Sequence, residues 1–214
     1  MLRYSVGKMG ICLSDRNQVK DEDPDVRGFR KPPHYRNREG PKYRVVNFTP
    51  DYEYRKYEPS TWICVRVNGV EFKKAADRGE SILAKYFDGH NGPEKTMNKT
   101  CPLKVQIEFK QDLHEPGYFV VAKHLPYEYC DRPPAPKHKD MFIQDLPEHF
   151  AYVSVFGGIA DQNEIKQRLD ALIEVLGNEN KDYEKMDYST TRFEKAYNLR
   201  KNTNEIILLT NRRV

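Results

Sequence analysis

The order strand, strand, helix, strand, strand occurs twice along this chain, and this repeat constrains the fold more than any single motif. In the first half, residues 51–68 alternate between apolar and polar side chains on both sides of Pro59, which predicts two short strands. Residues 70–87 place their apolar side chains on one stripe of a helix. Residues 103–109 and 118–125 alternate again, so two further strands are expected after the helix.

The second half begins after the Pro-rich linker 131–139 and follows the same order. Residues 141–156 predict two strands around a proline, and residues 183–188 and 205–210 predict two more. A shift of 88 residues places this proline and several strand positions on their counterparts in the first half. Single matches of this kind arise easily by chance, so the repeated order of elements carries more weight than the identities.

The helix of the second half is expected from Asp161 to Leu176. Asp161 is a good N-cap, and Glu164, three residues further on, completes a capping-box pattern. Gly177 suits the C′ position, where a residue in the left-handed conformation often ends a helix. The sequence therefore contains both a start signal and a stop signal for this helix.

The two repeats predict an α+β protein built on one curved, barrel-like antiparallel sheet. The sheet is expected to have about eight strands and to carry two helices related by a pseudo-twofold axis. A pocket would form in the space between the curved sheet and its helices.

The charge distribution divides the chain into a tail, residues 1–42, and a folded domain, residues 43–214. Few tail residues could bury an apolar face, so the tail is expected to be disordered. Residues 1–44 hold eleven Lys and Arg against six Asp and Glu, whereas the whole chain has a net charge of only +4. No nucleic-acid binding by the domain is therefore expected, and the basic run 27–44 is a candidate contact with an anionic membrane surface.

The expected location depends on where translation starts. The chain has no apolar stretch of the ~18 to 20 residues that a membrane-spanning helix needs and no secretory segment, which favours the cytoplasm. A start at Met9 would make Gly10 the N-terminus, with Ser14 at the position where acyltransferases prefer Ser or Thr and Cys12 placed for palmitoylation. The product would be a peripheral membrane protein, and a start at Met1 removes this anchor.

Six segments of the chain together resemble the SOUL haem-binding protein family, in the family's order. They are YEYRKYEPSTW (52–62), AKYFDGHN (84–91), MNKTCPL (97–103), DRPPAP (131–136), VSVFGGIAD (153–161) and NEIILL (204–209). The resemblance implies the same two-helix fold. It also implies a cytosolic protein that binds haem or another tetrapyrrole in a surface groove beside the first helix.

The resemblance places the haem against the first helix. Ile82, Leu83 and Tyr86 would supply apolar contacts, and Lys85 would pair with a propionate. Cys101 lies in the segment that matches the family's Met-Thr-Ala-Pro-Val signature. It is either a small buried residue at the start of a strand or a thiolate ligand of the iron.

Five positions depart from the pattern of family members implicated in haem binding. Lys56 aligns with a histidine that some members carry as a proposed axial ligand. On the first helix, Asp77, Glu80 and Ala84 stand where those members have large apolar residues and an arginine, and Lys99 replaces the Met of the signature. The cleft is thus expected to be less apolar than in those members, without a confident axial ligand.

The remaining residues indicate binding rather than catalysis. The sequence contains no GxSxG elbow, no Cys-His signature and no zinc-ligand spacing. His124 and His149 are interpreted as polar strand or turn residues, with axial ligation of haem as the alternative. The expected function is non-enzymatic binding of haem or a related tetrapyrrole, as a carrier, buffer or sensor. Two alternatives remain: a family member without haem affinity that acts as a protein-interaction or membrane-recruited module, and a small-molecule enzyme using Glu58, Glu71 or Glu108.

Overall fold

A curled antiparallel sheet forms the frame of the molecule, and two helices pack on one of its faces. The computed structural model describes residues 31–68, 71–109, 116–184, 187–193 and 202–210. The strands within these ranges are β1 (Tyr43–Phe48), β2 (Glu53–Tyr57), β3 (Ser60–Val67), β4 (Leu103–Phe109), β5 (Pro116–His124), β6 (Met141–Leu146), β7 (His149–Gly157), β8 (Asp187–Arg192) and β9 (Thr203–Thr210). The helices are α1 (Phe72–Phe87) and α2 (Gln162–Asn178).

The strand order β1-β2-β7-β9-β8-β4-β5-β3-β6 carries the symmetry that the repeat predicts. The first repeat contains β2, β3, β4 and β5, and the second contains their counterparts β6, β7, β8 and β9. Exchanging each strand for its counterpart reverses the order from β2 to β6 and leaves every pair of neighbours equivalent. The pseudo-twofold axis therefore passes between β4 and β8, at the centre of the sheet. The predicted α+β class, with a curled sheet and two symmetry-related helices, is confirmed.

The edge strand β1 is the element that the repeat does not contain. The sequence predicts about eight strands, and β1 is a ninth, paired only with β2 among the described strands. Five of its six residues are exposed, among them Val45, Val46 and Phe48. Because its apolar side chains do not alternate with polar ones, the strand has no period-2 pattern to reveal it.

The offset between the repeats is 89 residues and not the 88 residues that the sequence comparison suggests. At an offset of 88, Val65 would match Val153, yet Val65 packs beneath α1 and Val153 belongs to a cluster on the opposite face of the sheet. An offset of 89 matches Val67 with Phe156 and Leu83 with Leu172, and all four pack under the helices. A shift of one residue reverses the face of every strand position, so the identities at 88 were coincidental.

The structure confirms the predicted start signal of α2 but not the predicted stop signal. The Asp161 carboxylate accepts hydrogen bonds from the backbone amides of Asn163 and Glu164, both at 2.9 Å, which confirms the N-cap. The Glu164 side chain does not complete a capping box, because it accepts a bond from Arg168. Gly177 lies inside the helix, and the residue with positive φ after its end is Asn180.

The strand predicted at 183–188 begins later, since β8 runs from Asp187 to Arg192. Residues 181–184 have no regular structure, although the Glu184 amide donates to the Leu209 carbonyl. The other predicted strands and both helices lie within a few residues of their expected bounds.

Part of the predicted tail contacts the sheet on the face away from the helices. Tyr35 is only 2% exposed, and its ring stacks on Phe193 at 5.4 Å. Its hydroxyl donates to the Pro41 carbonyl, and the Glu39 carbonyl accepts a bond from the Cys101 amide. Residues 1–30 lie outside the described residues, and the division of the chain at residue 43 stays a prediction.

The surroundings of two helical glycines, Gly79 in α1 and Gly177 in α2, predict opposite effects of substitution by alanine. A Cβ at Gly79 would overlap the Val121 side chain of β5, so Gly79→Ala should destabilise the fold by ~1 to 3 kcal/mol. A Cβ at Gly177 meets nothing within 4 Å, so Gly177→Ala should stabilise by ~0.5 to 1 kcal/mol through helix propensity. Urea unfolding of both variants measures this, and equal effects would mean that α1 does not approach β5 as closely as described.

Candidate functional site

A cleft opens between the N-terminal turns of the two helices, above the centre of the sheet. Phe72 and Ala76 of α1 form one wall, and Ala160 and Ile165 form the other. The floor is formed by side chains of β4, β8 and β9, namely Leu103, Val105, Thr190 and Asn204. We call this the interhelical cleft. Its cavity volume is only about 30 Å³, and the cleft is partly open to solvent.

The position of the interhelical cleft follows from the symmetry of the fold. The axis passes between β4 and β8, where Leu103 pairs with Arg192 in register. The 89-residue offset relates Ala76 to Ile165, so the two walls come from equivalent helix positions. Ala76 and Ala160 have one-carbon side chains, and the helices therefore do not fill the space above the floor.

Arg192 supplies the charge at the edge of the interhelical cleft. One guanidinium nitrogen lies 2.7 Å from Glu80 and the other lies 3.8 Å from Asp77, both on α1. The side chains of Arg192 and Glu80 are about one third exposed. An ion pair of this kind contributes only ~0 to 1 kcal/mol, so another carboxylate can replace Glu80 at little cost.

The floor at the α2 end of the cleft is rigid and polar. Asn204 is 2% exposed, and its amide donates to the Gly158 carbonyl at 3.0 Å. Gly158 has a φ of +93°, which L side chains rarely adopt, so a glycine is needed at this turn into α2. Gly157 and Gly158 therefore form the turn from β7 into α2 at the edge of the cleft.

The structure places the four predicted haem contacts of α1 away from the interhelical cleft. Leu83 and Tyr86 are completely buried against the sheet, and the Tyr86 hydroxyl donates to the Pro134 carbonyl at 2.6 Å. Ile82 is half-buried at the edge of the same cluster, and Lys85 is exposed. The assignment of these residues to a haem site stays a prediction, and of the four only Lys85 is exposed.

Cys101 is not brought together with those four residues. It is 4% exposed and packs with Tyr35 and Phe193 on the opposite face of the sheet. A role as iron ligand stays a prediction as well. Of the three carboxylates considered for catalysis, Glu58 and Glu71 are exposed, and the side chain of Glu108 lies outside the described part of the chain.

Three of the five positions that depart from the family pattern engage in ion pairs. Asp77 and Glu80 hold Arg192, and Lys56 lies 2.7 Å from Glu148 at the end of β2. Ala84 is half-buried on α1, and Lys99 is exposed. Asp77 and Glu80 are thus tied, through Arg192, to the edge of the interhelical cleft.

Both candidate axial histidines lie outside the interhelical cleft. His124 is 2% exposed, and burial lowers its pKa to about 4. His149 donates from Nδ1 to the Pro147 carbonyl at 2.8 Å and stacks on Tyr57, and burial lowers its pKa as well. Among the described residues, no group of three or more His, Cys, Asp or Glu side chains could hold a metal ion. No helix in the described ranges is long and apolar enough to cross a membrane.

Sequence reasoning missed the residues that line the cleft. Phe72 and Ala76 belong to the apolar stripe of the first helix, and the stripe alone does not indicate that they form a wall of a cleft. Arg192 does not stand out among the 36 Lys and Arg of the chain. The signal that could have found them is the correct offset of the repeat, which superposes Ala76 on Ile165 and Leu103 on Arg192.

The fold defines a class of proteins with a duplicated strand and helix unit on one curled sheet. The EcmrR C-terminal domain has this fold, with a TM-score of 0.54 at 10% identity over 80% of this chain and 99% of that chain. EcmrR in a complex with DNA gives a TM-score of 0.55 at 9% identity over 78% of this chain and 57% of that one. At these identities the likeness concerns the fold alone.

The family model of the SOUL heme-binding protein matches residues 38–209, and the chain belongs to that family. Human heme-binding protein 2 is 25% identical over 158 residues, which cover 74% of this chain and 77% of the relative. Heme-binding protein 1 of Xenopus laevis is 28% identical over 127 residues, which cover 59% of this chain and 66% of the relative. The family resemblance read from the sequence is confirmed.

The burial of His124 predicts a specific dependence of stability on pH. The folded protein binds a proton at His124 only near pH 4, whereas the unfolded chain does so near pH 6.5. The contribution of the neutral His124 ring to the free energy of unfolding is therefore fully present above pH 6.5 and is lost as the pH falls towards 4. Between these values, wild type should lose up to about 3 kcal/mol more than His124→Phe, which keeps the edge contact with Trp62. Urea unfolding at several pH values tests this, and parallel curves would contradict a buried neutral His124.

Proposed function

We propose that the protein binds haem or a related tetrapyrrole in the interhelical cleft beside α1, without enzymatic chemistry, as a carrier, buffer or sensor in the cytoplasm. The observation that carries the proposal is a cleft with apolar walls and a carboxylate-binding arginine at its edge. Family membership and the names of the relatives, heme-binding proteins 1 and 2, support haem as the ligand.

The shape of the cleft favours partial enclosure of the macrocycle. Its cavity volume of about 30 Å³ is far below the ~300 to 1,000 Å³ found for ligand pockets, so most of a macrocycle would lie outside it. One edge of a porphyrin would contact Phe72, Ala76 and Ile165 while the opposite edge stays in water. Burial of apolar area at ~25 cal/mol per Å² would supply most of the affinity.

Arg192 is the charge partner that the cleft offers to a propionate. A carboxylate at the edge of the ring would compete with Glu80 for the guanidinium, 2.7 Å away, and would form the same kind of bond in its place. Because Glu80 and Asp77 lie beside this arginine, they lower the affinity for an anionic ligand. Lys85, exposed on the same helix, is the other candidate partner and follows from the sequence.

Axial ligation is expected to be weak or absent. The residues that line the interhelical cleft, all of them described, include no His, Cys, Met or Tyr. Haem would be held by its apolar face and its propionates, with the iron exchanging solvent or a small ligand. This arrangement fits a carrier or buffer better than a site that activates oxygen.

Hemin titration of four variants tests the proposal. Arg192→Met should weaken hemin binding about threefold to tenfold, and Glu80→Gln should strengthen it by a similar factor, because it frees Arg192. Lys85→Met should weaken hemin binding only if Lys85 also pairs with a propionate. Cys101→Ser should leave the Soret spectrum unchanged. Lys181→Met, an exposed lysine beyond α2, is the matched control.

The expected spectrum is a broad Soret shift that saturates at micromolar hemin. A sharp six-coordinate spectrum would contradict the absence of an axial ligand. Hemin binding that Arg192→Met and Glu80→Gln leave unchanged would contradict the location, and no shift at all with ~50 μM hemin would contradict haem binding itself.

The edge strand supports one alternative function. Val45, Val46 and Phe48 of β1 are 44 to 50% exposed on a strand that also adjoins the basic run 27–44. If hemin does not bind, this surface favours a protein-interaction or membrane-recruited module. Co-sedimentation with anionic and with neutral vesicles separates membrane recruitment from a protein contact, since only the former depends on lipid charge.

A further inference from the structure

Strand β6 forms the edge of the sheet opposite β1, and its pairing with β3 is regular. Every residue of β6 pairs with β3 in register and without a bulge. No other strand of the described ranges pairs with it. A regular edge strand presents a row of backbone N–H and C=O groups that another strand can bind. The free edge of β6 is therefore a candidate site for strand pairing.

The ladder between β3 and β6 fixes which backbone groups of β6 face the free edge. The Arg66 amide donates to the Asp140 carbonyl at 3.1 Å, immediately before the strand begins. Because the direction of the bonds alternates along an antiparallel ladder, the N–H and C=O groups of every second residue of β6 point away from β3. These residues are Met141, Ile143 and Asp145.

One amide at this edge is already occupied, and the others are free. The Met141 amide donates to the His138 carbonyl at 3.1 Å, so it belongs to the turn before β6. Within the described part of the chain, no hydrogen bond reaches the amides of Ile143 and Asp145 or the carbonyls of Met141, Ile143 and Asp145. The edge thus has a fixed order of free donors and acceptors along the strand.

The other edge of the sheet is protected against strand pairing. In β1 the register with β2 shifts between Val45 and Asn47, which marks a bulge. The Asn47 side chain accepts a hydrogen bond from the Phe48 amide at 2.9 Å, so this donor is engaged inside the chain. Bulges on edge strands hinder contact between the edges of two sheets. Of the two edges, β6 is therefore the one suited to a further strand.

From this arrangement we infer that β6 pairs antiparallel with β6 of a second copy of the chain, about a twofold axis at Ile143. In this register the Ile143 amide donates to the Ile143 carbonyl of the second copy, and the Asp145 amide donates to its Met141 carbonyl. The axis repeats both bonds in the opposite direction, as in any isologous contact. Each free donor of the edge gains an acceptor, and the two sheets become one continuous sheet.

The side chains of the edge support a second copy as the occupant. Ile143 is half-buried at the border of the cluster under α1, and the axis places it beside its own copy. Cross-strand apolar pairs of this kind stabilise a sheet. Asp145 comes to lie opposite Met141, so the two acids do not face each other. The edge is thus complementary to itself in its side chains as well as in its hydrogen bonds.

The charges at the two ends of β6 are also complementary. Lys139, in the turn before the strand, is exposed and has no acidic partner among the residues described. Antiparallel pairing brings this turn beside the C-terminal end of the second copy's β6, where Asp145 lies. One Asp145 oxygen accepts a bond from Thr61 at 2.7 Å, which leaves its negative charge in place. Each dimer would contain this Lys139 and Asp145 contact on both sides of the axis.

The inferred contact goes beyond haem binding and does not use the interhelical cleft. β6 is separated from β4, at the centre of the sheet, by β3 and β5. None of the residues that line the cleft lies on β6. An interface built on one short strand is small, so a weak dimer with a dissociation constant of ~10 to 500 μM is expected.

Two measurements on the full-length protein without hemin test the inference. Sedimentation velocity from ~5 μM to ~1 mM brackets the expected affinity and should show a monomer–dimer equilibrium. Amide hydrogen exchange over the same range locates the contact. The amides of Ile143 and Asp145 should become protected in proportion to the dimer, whereas the Val45 amide on β1 should exchange at an unchanged rate.

Substitutions at the axis separate the β6 edge from the β1 edge. Ile143→Pro removes an amide that points away from β3, so the ladder with β3 keeps its bonds, and the dimer should weaken at least about tenfold. Ile143→Lys places like charges directly opposite each other and should have an effect of similar size. Val45→Lys is the matched control on β1 and should leave the dimer unchanged. Thermal midpoints establish that the variants fold.

A charge exchange tests the register. Lys139→Glu and Asp145→Lys should each weaken the dimer about threefold or more, because each places two like charges together across the axis. The double variant restores opposite charges and should recover the affinity of the wild type to within about twofold. Failure of the double variant to recover would contradict the register about Ile143.

Three further results would overturn the inference. One is a monomer at every concentration up to ~1 mM. The second is a dimer that forms without protection of the Ile143 and Asp145 amides, which the wild type alone decides even if Ile143→Pro does not fold. The third is a dimer that folded Ile143→Lys leaves intact or that Val45→Lys dissociates. None of these results depends on whether hemin binds.

Discussion

The buried ion pair between Arg55 and Glu205 is the interaction on which the curled sheet depends. It joins β2 to β9, which are separated by β7, and Thr191 adds a bond from β8. Tyr57 accepts a bond from the same guanidinium. Removing one partner would leave an uncompensated buried charge, which costs ~3 to 5 kcal/mol, whereas replacing both by apolar residues can be neutral. The pair is therefore a constraint on geometry more than a source of stability.

This geometry gives the two faces of one sheet different chemistry. On the helix side, the duplicated unit leaves a gap at its own symmetry axis, because Ala76 and Ala160 are too small to close it. The floor there combines the apolar Leu103 and Val105 with the polar Thr190 and Asn204, and Arg192 stands at the edge. On the other side, the ion pair holds Glu205 among the aromatic side chains of Tyr35, Tyr57 and Trp62. The proposed haem site follows from the gap on the helix side.

Much of the fold could be predicted from sequence, because the periodicity of both repeats follows burial on the helix side. The edge strand could not, since the exposed Val45, Val46 and Phe48 do not alternate. The residues of the candidate site were harder to predict from the sequence. The predicted contacts Leu83 and Tyr86 are apolar residues on the stripe of α1, and that stripe is the one that the sheet buries. Arg192 becomes recognisable only when the helices are placed over the axis, since nothing local distinguishes it from other arginines.

The most direct test of the account is a map of the haem-binding surface by methyl NMR with gallium protoporphyrin IX, which is diamagnetic and carries the same propionates. The account predicts shifts for the methyl groups of Ala76, Leu103 and Ile165 around the interhelical cleft, together with the Arg192 guanidinium. Shifts confined to Ile82 and its neighbours on α1, or to the face that holds Cys101, would contradict it.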